Sequence, residues 1–418
     1  MPHTTDERSA APRLARPARA YLLATACSTV GTVLGLLGAT GATTAAGGSS
    51  HGAVYTGAYT AFVLLTSALA IPYAPRVCSH LSTRAAFAAA QGLAAAVWVA
   101  AGALLLLGAP TMPVLLVAAP LFGVTGGVSV VLRPVLAKSY LSSGGTADAF
   151  ARVSVVSGVS WMVASLAGGL LLSHVALGWG LVLNGLLSSV LALTVRRVAP
   201  TTEPHEPRRA DHPWRNVRDS LGASWTLRRT TAVGCVTMLF IAPLTSLVVP
   251  VAQDLRQQPL VAGAGLLMAA FAAGQFLSPR LVRLLSRGRD DLHGAIAADL
   301  GAGVVLVLLG AVSLVVSRRA ELLAWLVVGV AFGGFRYSSA ALFVGSAAES
   351  GQPEDATTNL AAAMLACGLV APAGTLLWSA VIGGVSAEAA LFVGGAGALV
   401  GAAAVWAVSR VRPAPRRP

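Results

Sequence analysis

Residues 20–75 read AYLLATACSTVGTVLGLLGATGATTAAGGSSHGAVYTGAYTAFVLLTSALAIPYAP, and between Arg19 and Arg76 no side chain carries a formal charge. That interval is too long for one membrane-crossing helix, which needs about 20 apolar residues. It divides at Gly47-Gly48-Ser49-Ser50-His51, a turn-forming cluster, into two spans and a hairpin. The same pattern continues outward. Arg84 to Arg133 is uncharged and broken at Gly108-Ala109-Pro110, and Arg152 to Arg196 is broken at Ser173-His174. In the second half Arg229–Asp254, Arg256–Arg280, Asp291–Arg318, Glu321–Glu349, Asp355–Glu388 and Glu388–Arg410 each enclose one span. The sequence therefore predicts an all-α membrane protein of twelve transmembrane helices.

Composition leads to the same class. Only 11% of residues are charged and 56% are apolar, against about 25% charged in soluble domains. Such a chain cannot clothe a globule in polar surface, so the lipid bilayer is its expected solvent. The net charge of +13 raises nucleic acid as a partner, but the basic residues sit in loops and tails and form no aromatic-interleaved face. Their placement orients the chain instead. With the N-terminus inside, the cytoplasmic segments hold 24 of the 29 basic residues and the outer loops only Arg256, Arg318 and Arg319. That bias puts both termini in the cytoplasm of a multi-pass cell-membrane protein. Cys27, Cys235 and Cys367 lie in apolar stretches and Cys78 in a short basic loop, and the seven histidines are scattered. Neither a disulfide framework nor a metal site is indicated, no cofactor is expected, and no Walker loop is present for ATP-driven pumping.

The longest polar stretch lies mid-chain. Residues 1–19 read as a polar tail, 20–197 as an N-terminal six-helix bundle, 198–229 as a cytoplasmic linker, 230–410 as a second six-helix bundle and 411–418 as a tail. Within the linker Trp214, Val217, Leu221 and Trp225 recur at helical spacing among arginines, the pattern of a short amphipathic helix on the membrane face; a linker without fixed structure is the alternative. The halves echo each other. Cys27-Ser-Thr and Cys235-Val-Thr are 208 residues apart, Pro75-Arg76-Val77 and Pro279-Arg280-Leu281 are 204 apart, and Ser143-Gly144 with Asp148 precedes Ser350-Gly351 with Asp355 by 207. Three matches at nearly one offset point to two pseudo-symmetric six-helix bundles.

With that architecture the chain resembles the major facilitator superfamily over its length after residue 19. The family's basic loop, Gly-x-x-x-Asp-Arg-x-Gly-Arg-Arg, is matched in part by Pro75 to Arg84, which keeps the final Arg; Ser79 stands for the Asp and His80 for the first Arg. Ala119-Pro120-Leu121-Phe122-Gly123 fills the frame of the fourth-span Arg-x-x-Gln-Gly without its Arg. Ala164 to Gly169 resembles the Gly-Pro-x-x-Gly-Gly of antiporters and keeps the glycines. The resemblance implies a secondary transporter working by alternating access. The likeness in spans four and five to efflux branches implies export of a small organic molecule by a monomer. Because the motifs are degraded, a transporter-like sensor or assembly partner without flux stands as the alternative.

The residues expected to carry transport are polar groups inside spans. Arg336, in Gly333-Gly334-Phe335-Arg336-Tyr337, lies 15 residues after Glu321 and 13 before Glu349. Burying Arg there costs about 3 kcal/mol on insertion scales, so it needs a wet cavity or a partner. It could hold an anionic substrate group bidentately, or pair with Asp299. Asp299 is the candidate ion-coupling residue under the first reading and a structural partner under the second. Arg133 closes a stripe that recurs every four residues with Thr125 and Ser129, as a substrate contact or an interfacial anchor. Thr29 and Thr32 in span one, Trp161 in span five, Gln275 in span eight, Tyr337 in span ten and Trp378 in span eleven complete the substrate-binding set. For each, helix–helix packing or hydrogen bonding is the competing role. Pro243 and Pro250 are expected to kink span seven.

Overall fold

The computed structural model describes residues 15–141, 146–202, 213–254, 260–287, 290–315, 318–350 and 356–411. Residues 1–14 and 412–418 of the tails, most of the linker before Pro213, and the loops holding Arg256, Arg289, Asp355 and the Ser143-Gly144 and Gly351 repeat positions lie outside these. The described residues are helical almost throughout and include no strand.

Among the described residues ten helices are long and apolar enough to cross a membrane. Spans one and two are Arg16–Gly48 and His51–Tyr73. Between them Gly48 takes φ 63, a left-handed conformation that a side chain would disfavour. Spans three to six are Thr83–Leu106, Thr111–Leu141, Thr146–His174 and Gly178–Arg197. Spans nine to twelve are Asp291–Val315, Arg318–Ala348, Ala356–Gly384 and Ala387–Val411. Span eight is a pair of helices, Leu260–Ala273 and Ser278–Leu285, bent by 49° at the turn Gly274–Phe276. Span seven runs over 225–254 in four pieces: Trp225–Val236, a π-turn at Thr237–Ile241, Pro243–Ser246 and Val248–Asp254. With these two the chain makes the twelve passes of two pseudo-symmetric six-helix bundles. Twelve is even, so Arg16 and Val411 share one face, the terminal face.

Apolar side chains cover the outside as well as the inside: Val117, Val327 and Val400 are 75%, 65% and 71% exposed. In water such a surface would associate; in hydrocarbon it is solvated.

The break in span seven has a chemical cause. Pro243 has no N–H, and its ring cannot sit over the carbonyl four residues back. The π-turn stands just before it, and the freed carbonyls of Met238 and Leu239 face Gly374 of span eleven, where a methyl would meet them at 2.7 and 2.6 Å. Pro250 makes no comparable break, because it falls in the first turn of Val248–Asp254, where no helical N–H is needed.

At the terminal face the chain is tied by polar caps. Arg84, the Arg retained from the basic-loop motif, donates to the carbonyls of Val195 (3.1 Å) and Val198 (2.9 Å) at the end of span six, and Tyr140 O–H donates to Val198 O at 2.7 Å. The linker forms a helix at Pro213–Ala223. Its Val217 is buried with Ile71, Ala74 and Leu360, so its apolar side rests on the protein. Trp214 Nε1 donates to Tyr73 Oη at 3.2 Å. Trp225 falls outside this helix: Ser224 accepts from Leu227 N and caps span seven, which thus begins five residues earlier than the sequence implied.

The halves meet along two pairs of helices. Span two lies on span eleven, with Gly57 against Ser379 and Gly368 against Ala68. Span five lies on span eight, where Gly265 has the carbonyl of Ser165 and the Cα of Gly169 against it. Gly265→Ala is expected to destabilise the fold by about 1–3 kcal/mol, because its methyl falls on backbone that cannot swing aside. Gly92→Ala, at a position with open space around it, should leave the thermal midpoint in detergent unchanged. Equal midpoints for both variants would show that the five–eight contact is looser than described.

Candidate substrate site

Span ten owes its position to Gly333, whose missing side chain lets it lie on the Phe271 carbonyl of span eight. Span four approaches span two in the same way, through Gly127 on the Ser67 carbonyl. These equivalent contacts are the structural form of the internal repeat. The contact at Gly333 fixes the helix three residues before Arg336.

Arg336 is half-buried. Its Cζ stands 5.4 Å from the ring centroid of Tyr337. Its Nη2 donates to Thr245 Oγ1 at 3.4 Å, on the short helix Pro243–Ser246 of broken span seven. Its Nε is buried and has no acceptor. A guanidinium has five N–H donors and no acceptor capacity, so one weak hydroxyl contact leaves most of its demand open.

Asp299 does not meet that demand. It is 0% exposed, and its oxygens accept from Thr237 Oγ1 at 2.7 Å and Ser339 Oγ at 2.6 Å. Among the described residues it forms no ion pair, so the Arg336–Asp299 pair offered by the sequence is absent. Asp299 instead joins spans seven, nine and ten, and Thr237 is the first residue of the π-turn.

The other predicted residues fall into separate groups. Thr29 Oγ1 donates to Ser157 Oγ at 3.5 Å, linking spans one and five. Thr32 is exposed and bonded back to Ser28 O. Gln275 is buried in the bend of span eight and lies over Gly158 of span five. Trp161 is half-buried and packs on the main apolar core, which spans one and five share with the helices of the second half. Ser129 accepts from Gln91 Nε2 at 3.0 Å, a bond to span three. Trp378 is 1% exposed and packed over Gly394 of span twelve. Arg133 is half-buried, two turns before Tyr140 in span four. Thus Arg336 and Tyr337 stand together, while Ser129 and Trp378 are engaged between helices. Thr245, Thr237 and Ser339 were not singled out by sequence; only the prolines around Thr245 marked its segment. Among the described residues no group of three or more His, Cys, Asp or Glu side chains could hold a metal.

Two repeated six-helix bundles with apolar outer faces define a membrane protein of transporter-type fold. Residues 20–352 match the model of the Major Facilitator Superfamily, and the chain belongs to that family. It is similar in structure to the human organic anion transporter MFSD10 (TETRAN), at 16% identity and TM-score 0.68, covering 94% of this chain and 100% of that one. A crystal structure of an auto-inhibited POT-family peptide transporter matches at 14% identity and TM-score 0.68, over 97% and 99%. The nucleoside transporter NupG matches at 14% identity and TM-score 0.63, over 95% and 100%. No curated protein matches the sequence.

Proposed function

We propose that this protein is a secondary transporter that moves a small organic molecule bearing an anionic group across the cell membrane by alternating access. One observation carries the reading: Arg336 lies deep in span ten with a buried, acceptor-free Nε and no acidic partner among the described residues. An arginine so placed stabilises the protein only when an acceptor arrives, and carboxylate or phosphate fits its planar fork. Tyr337 and Thr245 would orient the group, and Asp299 would carry the coupling proton. Broken span seven, which supplies both Thr245 and Thr237, would join the two sites. The reading is supported by a similar transporter named for organic anions.

Export is the proposed direction, with both termini cytoplasmic and the protein acting as a monomer without cofactor. The test compares intracellular and extracellular metabolites in a host lacking the gene, one expressing it and one expressing Arg336→Ala. An anionic compound should leave the cell only with the intact protein. Accumulation inside would reverse the direction. If no compound moves although the protein reaches the membrane, the reading gives way to a membrane sensor or assembly partner.

A further inference from the structure

Span one presents a cluster that the proposed site does not use. Threonines in these helices commonly return their hydroxyl to a carbonyl one turn back, as Thr32, Thr40, Thr125 and Thr375 do. Thr25 does not: its Oγ1 is fully buried and has no partner. One turn earlier the hydroxyl of Tyr21 is in the same condition. The two residues are four apart on one helix and so share a face of span one, yet neither hydroxyl makes a well-formed hydrogen bond. Tyr21 is held still, its ring stacked on that of Tyr140 at 4.6 Å and 5°. Tyr140 is itself fixed by its hydrogen bond to Val198 O. Arg133 lies seven residues, two turns, before Tyr140 on the same face of span four, so it faces the part of span one that carries Tyr21 and Thr25, and it forms no ion pair among the described residues.

Two buried hydroxyls without partners beside a cation without a counter-ion are an uncommon arrangement, because each such group costs free energy when left alone. A hydroxyl can donate or accept, but a guanidinium only donates. A ligand that satisfies all three must therefore bring oxygens that accept. Arg133 stands 8 residues before the end of span four at Leu141, and Arg336 stands 12 before the end of span ten at Ala348. The two helices are repeat equivalents, so Arg133 lies about one helical turn, some 6 Å, nearer the terminal face.

We infer that Arg133, Tyr21 and Thr25 form a second anion subsite, nearer the terminal face, which receives the carboxylate or phosphate of the substrate before it reaches Arg336. The role in transport rests on the function proposed above; the binding itself does not.

The experiment measures binding of inorganic phosphate to purified protein by isothermal titration, with chloride at matched ionic strength as background. It is run first in the Arg336→Ala protein, where only the second subsite remains. Phosphate should still bind. Tyr21→Phe, which keeps the ring stack, and Thr25→Val, which keeps the shape, should each weaken it about tenfold. Arg133→Ala should abolish it. Phosphate binding that ends with Arg336→Ala, or that ignores Tyr21→Phe and Thr25→Val together, overturns the subsite. So does a difference that vanishes only in nanodiscs containing anionic lipid, since the occupant would then be a headgroup. A wild-type protein that moves no substrate yet shows this pattern would remove the transport reading and leave the subsite standing.

Discussion

Replacing Arg336 by alanine should abolish substrate-dependent flux in proteoliposomes while leaving expression and monodispersity at the wild-type level. The two expectations come from the same placement. An arginine inside a span costs about 3 kcal/mol on insertion scales, so alanine relieves the fold of a burden. Its described contacts are one 3.4 Å hydrogen bond to Thr245 and a ring contact with Tyr337, which contribute little to stability. A substrate anion held by two charge-assisted bonds of about 1.5–3 kcal/mol each would lose on the order of a hundredfold to ten-thousandfold in affinity. Arg336→Lys should fall between, because it keeps the charge and loses the fork. Flux unchanged in the alanine variant would refute the assignment.

Asp299→Asn should separate driving from carrying. The variant is expected to lose accumulation driven by a pH gradient, falling to simple equilibration, while substrate exchange across the membrane stays within about twofold of wild type. Asparagine matches the size of the carboxyl and can still meet the hydroxyls of Thr237 and Ser339, but it cannot take up and release a proton. Asp299→Leu makes the contrast: it would leave the Ser339 hydroxyl without its acceptor in a fully buried place, at about 1–3 kcal/mol, and should lower the thermal midpoint. Equal loss of driven transport and exchange in the asparagine variant would show that Asp299 is a structural tie between spans seven, nine and ten.

Most of the fold was legible because charge is so scarce. Each interval between charged residues had to be a helix or a pair of helices once lipid was the solvent, and Gly48 with its neighbours could only be a turn. Span seven was legible as a crossing and as a kinked one. Its π-turn was not, since that depends on Gly374 of another helix receiving the displaced carbonyls. In the candidate site Arg336 was visible as an isolated cation in an apolar run. Its contact with Thr245 was invisible, because a helical threonine that also bonds back to Ala242 O looks like any other. Stripe logic placed Thr125, Ser129 and Arg133 on one face, but could not tell that Gln91 of span three reaches Ser129. Spacing put Thr25 on the polar face of span one with Thr29 and Thr32, but it could reveal neither Tyr21 nor the bonds that the two hydroxyls do not make.

The crossing of spans five and eight bears on how fast such a molecule can turn over. Where Gly265 meets Ser165 and Gly169, backbone lies on backbone, so that point of the crossing asks no side chain to change rotamer if one half pivots over the other. It would work as a smooth bearing. Resistance to such a pivot is then set where side chains enter the interface, at Gln275 over Gly158 and Ser379 against Gly57, and those two places should govern how steeply turnover rises with temperature.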